Sequence, residues 1–181
     1  GLIHSGSDAA RTYLGGLAHL LGAHSLAWAG EREAAHARAR EALDVARAGD
    51  LENQVAEILT FQAELHREDG DDDAMLAALR AALAQAEKGA APLELLRTRV
   101  LLALHTREGL DAVGKELAAA KPKVKPLAFA EILWHFADAT GEEEAREKAR
   151  ACTEALLDTA PPDDRQRMLA GVPLFRRLRN N

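Results

Sequence analysis

The stretch GDDDA at residues 70–74 recurs in related forms along the chain. GEREA lies at 30–34, GEEEA lies at 141–145, and a weaker version, GLDAV, lies at 109–113. The four glycines that open these stretches are 40, 39 and 32 residues apart. A nearly constant spacing in this range is typical of helical-hairpin repeats, in which each unit has two helices joined by a turn.

Similarity between the first two units continues beyond the turn. Five residues of the first unit recur 40 positions later with the same identity. They are Arg40, Ala42, Leu43, Ala46 and Gly49, and their counterparts are Arg80, Ala82, Leu83, Ala86 and Gly89. We therefore interpret the pattern as a structural repeat and not as a by-product of alanine content.

The repeated stretch has the composition of a turn between two helices. Glycine tolerates the left-handed backbone that ends a helix. The acids that follow favour the start of the next helix, because Asp71 or Asp72 can cap it and negative charge is stabilised at a helix N-terminus. The small residue that closes each stretch is expected to let the two helices pack closely. These residues are Ala34, Ala74, Val113 and Ala145.

Composition predicts that the rest of the fold is also helical. Of the 181 residues, 48% are hydrophobic and only 4% are aromatic. Alanine and leucine, which favour helices, dominate, and β-branched strand formers are sparse. We therefore expect an all-α fold. The predicted helices lie at about 10–29, 31–48, 51–68, 72–88, 92–107, 110–120, 126–139 and 142–159, with two short ones near 163–170 and 174–179.

These helices suggest a division of the chain into three parts. Residues 1–9 do not begin with methionine, and we interpret them as a disordered or tag-derived segment, or as the tail of a preceding domain in a larger protein. Residues 10–160 contain the four predicted hairpins. Residues 161–181 are expected to form a C-terminal cap, because the last unit of a repeat stack needs a cover for its apolar side.

Charge and cysteine content narrow the class of protein. The formal net charge is -6, which argues against a nucleic-acid module, because such a module needs a basic face to neutralise phosphates. No apolar run approaches the roughly 20 residues of a membrane span. The chain contains a single cysteine, so it has no internal disulfide. We predict a cytoplasmic protein that binds neither nucleic acid nor membrane.

No residue pattern indicates catalysis. The seven histidines include no H-E-x-x-H motif, and P-loop, dinucleotide-binding and serine-hydrolase motifs are absent. EDGDDD at 68–73 lacks the ligand spacing of an EF-hand loop. Cys152, Trp28 and Trp134 are interpreted as packing residues, with a binding anchor as the alternative for either tryptophan. We therefore predict no enzymatic activity, no cofactor and no metal site.

Short motifs in the repeats resemble those of the tetratricopeptide repeat family. LLG at 20–22 is similar to the family's Leu-Gly in the first helix, and EAL at 41–43, AAL at 81–83 and EAL at 154–156 are similar to its Ala-Leu late in the second helix. The resemblance covers about 10–160. The spacing near 40 exceeds the family's 34 residues, as in the longer repeats of large bacterial regulatory and signalling proteins, and packing like that of HEAT repeats is the alternative.

The resemblance implies a right-handed α-α superhelix of four hairpins, whose first helices line a concave face that binds a protein or peptide segment. Counting back from each turn glycine carries the family's binding positions onto this chain. They are His19 in the first hairpin, Glu57, Thr60, Glu64 and Arg67 in the second, Thr98 and His105 in the third, and Glu131, His135 and Asp138 in the fourth.

Two other functional classes remain open at this point. One is a structural or self-associating spacer, which would form a homo-oligomer and would expose a large apolar edge. The other is a helical enzyme with an unrecognised site, which would need a deep pocket with perturbed titratable groups.

Overall fold

The computed structural model describes residues 2–89, 91–120, 126–172 and 174–175, with side chains from residue 10 onward. All regular secondary structure in these residues is helical, and they contain no strand, which confirms the predicted all-α class. The helices are α1 (Leu2–Ala29), α2 (Arg32–Ala48), α3 (Glu52–Asp69), α4 (Asp72–Lys88), α5 (Pro92–Thr106), α6 (Leu110–Ala119), α7 (Pro126–Thr140), α8 (Glu143–Thr159) and α9 (Pro162–Gly171).

Helix bounds agree closely with the predicted ones. From α2 to α9 each end lies within one residue of its predicted position. The exception is α1, which begins at Leu2 and not near Ala10. Residues 2–9 are therefore helical and not disordered, and their origin in a tag stays a prediction. Of the second predicted cap helix, only Leu174 and Phe175 are described, and both are helical and buried.

The four turn glycines have the left-handed backbone that the sequence predicts. Their φ angles are 83° at Gly30, 76° at Gly70, 68° at Gly109 and 79° at Gly141. The predicted aspartate cap is present at α4, where the Asp71 carboxylate accepts a hydrogen bond from the Ala74 backbone N–H at 3.0 Å. Three of these turns join helices that pack on each other, namely α1 and α2, α3 and α4, and α7 and α8.

The chain divides into two compact units, Gly1–Thr98 and Arg99–Asn181. In the first unit α1 packs on α2, α2 on α3, and α3 on α4. The inner side of α2 consists of alanines apart from Leu43, which lets its neighbours approach closely. The alanines are Ala35, Ala39, Ala42 and Ala46, all with no exposed surface. In α4 the equivalent positions are Met75, Leu79, Ala82 and Ala86.

Two of the residues predicted to pack closely lie one position before the residues that are buried in the structure. Ala34 is exposed and Ala74 is half-buried, whereas Ala35 and Met75 are buried. A helix turns about 100° per residue, so an offset of one residue takes a side chain off the contact stripe. In the second unit Val113 and Ala145 are buried, as predicted.

In the second unit α7 packs on α8. Large side chains of α7 form the centre of this unit, with Trp134 and Phe129 only 2% and 1% exposed. Leu174 and Phe175, from the segment predicted to form the cap, are 4% and 1% exposed. The apolar side chains of the last described residues are thus part of the core.

Candidate functional site

Two of the predicted binding residues lie inside the protein. Thr60 of α3 and Thr98 of α5 have no exposed surface. Their hydroxyl groups donate to the Ala56 and Glu94 carbonyls at 2.9 and 2.7 Å, and the two hydroxyl oxygens are 3.2 Å apart. Neither side chain reaches the surface, because each lies where α3 and α5 meet, and a role of these two residues in binding stays a prediction.

A buried ionic group lies beside this pair. Arg97 is 5% exposed and donates from Nη2 to Glu64 Oε1 at 2.7 Å, and its Nη1 lies 3.9 Å from Glu94 Oε2. Glu64 is thus engaged in the contact between α3 and α5. Among the other predicted residues of the first unit, His19 and Glu57 are half-buried and Arg67 is exposed.

In the second unit three predicted binding residues share one side of α7. Glu131, His135 and Asp138 are spaced i, i+4 and i+7, which aligns them along a helix. The first two are half-buried and Asp138 is exposed, with its Oδ1 3.7 Å from Arg146 Nη2. His105 is exposed in the last turn of α5. These four residues are accessible, and their role as contacts stays a prediction.

A groove that the sequence did not predict lies between α6, α7 and α8. Its volume is about 570 Å³. Buried side chains from α6 and α7 form its floor, namely Leu117, Leu133 and Phe136. Gly114 lies against the tip of the Phe136 ring, and a Cβ at this position would come 3.0 Å from the ring's Cζ. Charged residues surround the opening; they are Arg107, Asp111, Lys115, Glu142 and Glu144.

Lys148 of α8 holds one side of this groove in place. Its ammonium group donates to the carbonyls of Leu117, Ala118 and Ala120 at 3.2, 2.8 and 3.0 Å. These carbonyls belong to the C-terminal end of α6, where a helix favours positive charge. The lysine therefore fixes the end of α6 against α8.

Cys152, one turn after Lys148, is half-buried. Burial raises the pKa of its thiol, and the positive charge of Lys148 offsets part of this effect. The thiolate, which is the nucleophilic form, is therefore disfavoured at neutral pH.

A second, smaller cavity of about 370 Å³ lies between α2 and α3. His36 and His66 line it, with their ring centroids 4.9 Å apart. His36 Nε2 also lies 2.6 Å from Asp69 Oδ2. Sequence reasoning missed this group because His36 is on a different helix from the other two residues and is 30 positions away from His66.

An exposed apolar stripe follows one side of α1. Its members are Tyr13, Leu14, Leu21 and Trp28, with 49%, 61%, 57% and 43% of their surface exposed. Trp28, interpreted from the sequence as a packing residue, leaves 43% of its surface exposed, and its ring centroid lies 6.0 Å from that of His24. Trp134 is buried, as predicted.

No known protein-family profile matches this chain, and no curated protein or solved structure matches it either. Within the described ranges, no helix combines the length and apolar content that crossing a membrane requires.

Proposed function

We propose that this chain is a protein-interaction module with tetratricopeptide-like hairpins, which binds a segment of a partner protein or of another domain in its own polypeptide. The groove between α6, α7 and α8 supports this proposal most directly. Its volume of about 570 Å³ is within the range of ligand-binding clefts, and its apolar floor inside a charged rim is the usual composition of such sites.

The groove determines what kind of segment fits it. Leu117, Leu133 and Phe136 offer an apolar surface for one anchoring side chain. Glu142 and Glu144, beside the N-terminus of α8, favour a basic group next to that anchor. Complementary charge of this kind would set the register and the association rate more than the affinity. We therefore propose a ligand segment with a leucine or aromatic anchor followed by lysine or arginine.

Two neighbouring alanines at the end of α6 allow a matched test. Ala118 and Ala119 are both exposed, but only Ala118 lines the groove. Ala118→Arg should fill the opening, whereas Ala119→Arg adds the same side chain outside it. Peptides would be selected from a random library on the wild-type protein, and their affinities would be measured by fluorescence anisotropy for the wild type and both variants.

We expect Ala118→Arg to weaken binding at least about tenfold and Ala119→Arg to leave it unchanged, since one buried anchor contributes well over 1 kcal/mol. The predicted face of α7 is tested in parallel with the double variant Glu131→Lys and Asp138→Lys. Loss of binding in that variant alone would move the site to α7. Failure to select any peptide, with circular dichroism showing a folded protein, would contradict the interaction function.

Self-association is a second candidate, and the exposed stripe of α1 supports it. Leu14, Leu21 and Trp28 are spaced by seven residues, which is the period of paired helices. Between residues 10 and 29 the helix carries only one charged side chain of Asp, Glu, Lys or Arg, namely Arg11, so two copies of α1 can approach with little repulsion. The occupant of this stripe would be α1 of a second copy.

Analytical ultracentrifugation of the wild type and of the double variant Leu14→Glu and Leu21→Glu tests this candidate. A dimer in the wild type that dissociates in the variant would support it. A wild type that stays monomeric at concentrations up to about 100 μM would contradict it.

A further inference from the structure

We infer that His36, His66 and Asp69 form a binding site for a divalent transition-metal ion, independent of the proposed peptide groove. Each side chain offers one ligand atom, and the three atoms all lie within 4.8 Å of one another. His66 and Asp69 are one turn apart on α3, and His36 reaches them from α2. A bound ion would therefore connect two successive helices.

The distances require only small movements of the side chains. Zinc binds imidazole nitrogen at about 2.0–2.1 Å and carboxylate oxygen at about 2.0–2.2 Å, which separates tetrahedral ligand atoms by about 3.3–3.5 Å. His36 Nε2 and Asp69 Oδ2 are now 2.6 Å apart, so they would move apart by less than 1 Å. The remaining separations are at most 4.8 Å, so they would shorten by at most about 1.5 Å through rotation about the side-chain bonds.

The ligand set indicates which ions fit. Two imidazoles and one carboxylate suit zinc, cobalt, nickel or copper, and they do not suit calcium or magnesium, which prefer all-oxygen coordination. The side chains of His36 and Asp69 are 17% and 35% exposed, so water completes the coordination from the solvent side. Arg32, whose Nε lies 3.8 Å from Asp69 Oδ1, balances the carboxylate's charge when no ion is bound.

Zinc titration of the tag-free chain by calorimetry tests the inference directly, with cobalt absorption as a second readout of coordination. The ligand variants are His36→Gln, His66→Gln and Asp69→Asn. The control is His19→Gln, because the Nδ1 of His19 lies 3.1 Å from Glu41 Oε2 in a similar pair between α1 and α2 that has no second histidine. Circular dichroism confirms that each variant is folded.

The wild type should bind one zinc ion per chain, and its melting temperature should rise with zinc concentration. Each variant of a proposed metal ligand should bind zinc at least about tenfold more weakly. Removing a residue that only hydrogen-bonds to a metal ligand already has an effect of this size, and removing the ligand itself should cost no less. His19→Gln should bind as the wild type does. No binding at millimolar zinc, or equal affinity in the wild type and the ligand variants, would overturn the inference. A cobalt absorption spectrum identical to that of the hydrated ion would overturn it as well.

Discussion

At the scale of single residues, local backbone geometry explains why the turn motif repeats. Gly70 has a φ of 76°, and a Cβ built on it meets no atom within 4 Å. Space is therefore not what selects glycine there. The left-handed backbone selects glycine, because this conformation brings the Cβ of any other residue too close to its own carbonyl oxygen.

Replacement of Gly70 by alanine should lower the free energy of unfolding by about 1–2 kcal/mol, the cost of a left-handed L-residue. Gly171→Ala is the matched control, because a Cβ there also meets nothing within 4 Å and no positive φ is present. That control should stay within about 0.5 kcal/mol of the wild type. Urea unfolding measures both, and equal stability of the two variants would contradict the explanation.

A second residue-scale prediction concerns the thiol of Cys152. Burial raises its pKa and Lys148 lowers it, so removing the lysine should raise the thiol pKa further. At pH 8.5 the thiol of native Lys148→Met should therefore react more slowly with a disulfide reagent than the wild-type thiol. Both native proteins should react more slowly than their urea-unfolded forms. Faster labelling of the variant, in protein shown to be folded, would contradict this assignment.

The raised pKa of the Cys152 thiol also determines the direction in which stability changes with pH. A thiol that holds its proton more tightly when folded contributes stability below its ordinary pKa. That contribution is lost as the pH rises through the ordinary value toward the raised one. In this alkaline range the free energy of unfolding should therefore decrease more steeply with pH in the wild type than in Cys152→Ala.

At the scale of helices, the contact between α3 and α5 depends on polar groups that the repeat pattern assigns to a binding face. The Thr60 and Thr98 hydroxyls meet inside this contact, beside the buried guanidinium of Arg97. Because each hydroxyl also donates to a backbone carbonyl of its own helix, the pair is satisfied internally. Neither threonine hydroxyl is therefore exposed to a ligand at the protein surface.

A double-mutant cycle tests this interpretation. Thr60→Val and Thr98→Val should each cost about 1 kcal/mol, because each removes a hydrogen bond to a backbone carbonyl and puts a methyl group in place of the polar neighbour of the other hydroxyl oxygen. The double variant should cost less than the sum, since replacing both partners removes the mismatch. Thermal and urea unfolding measure the cycle, and additive effects together with weaker peptide binding would restore the threonines to the binding face.

At the scale of the whole molecule, the described residues near the end of the sequence are part of the second unit. Phe175 is 1% exposed and Leu174 is 4% exposed, so both contribute to the core. Residues of α9 contribute less, since Met168 and Leu169 are half-buried. Stability of the second unit therefore depends on side chains close to the end of the sequence.

Phe175→Ala should lower the free energy of unfolding by about 3–5 kcal/mol, as expected for removal of a fully buried phenylalanine. Met168→Ala, at a half-buried position, should cost clearly less. Trp134, buried in the same unit, reports the transition by fluorescence when Trp28 is replaced by phenylalanine. A loss below 1 kcal/mol for Phe175→Ala would contradict the assignment of this side chain to the core.

The sequence by itself determined the helices and the turns between them. The apolar periodicity, the four glycines and the aspartate at the start of α4 act within a few residues of chain, and the helix bounds from α2 onward could be predicted to within one residue. Such features depend on local backbone energies, which any reader of the sequence can evaluate.

Only the tertiary structure decided which polar residues are available for function. Thr60 meets Thr98 from 38 positions away, and His36 meets Asp69 from 33 positions away. The groove likewise depends on how α6 packs against α7 and α8, with Gly114 against the tip of the Phe136 ring. Helical periodicity tells which residues share a side of one helix, but the neighbour on that side follows from the packing of several helices at once, and that packing determines burial.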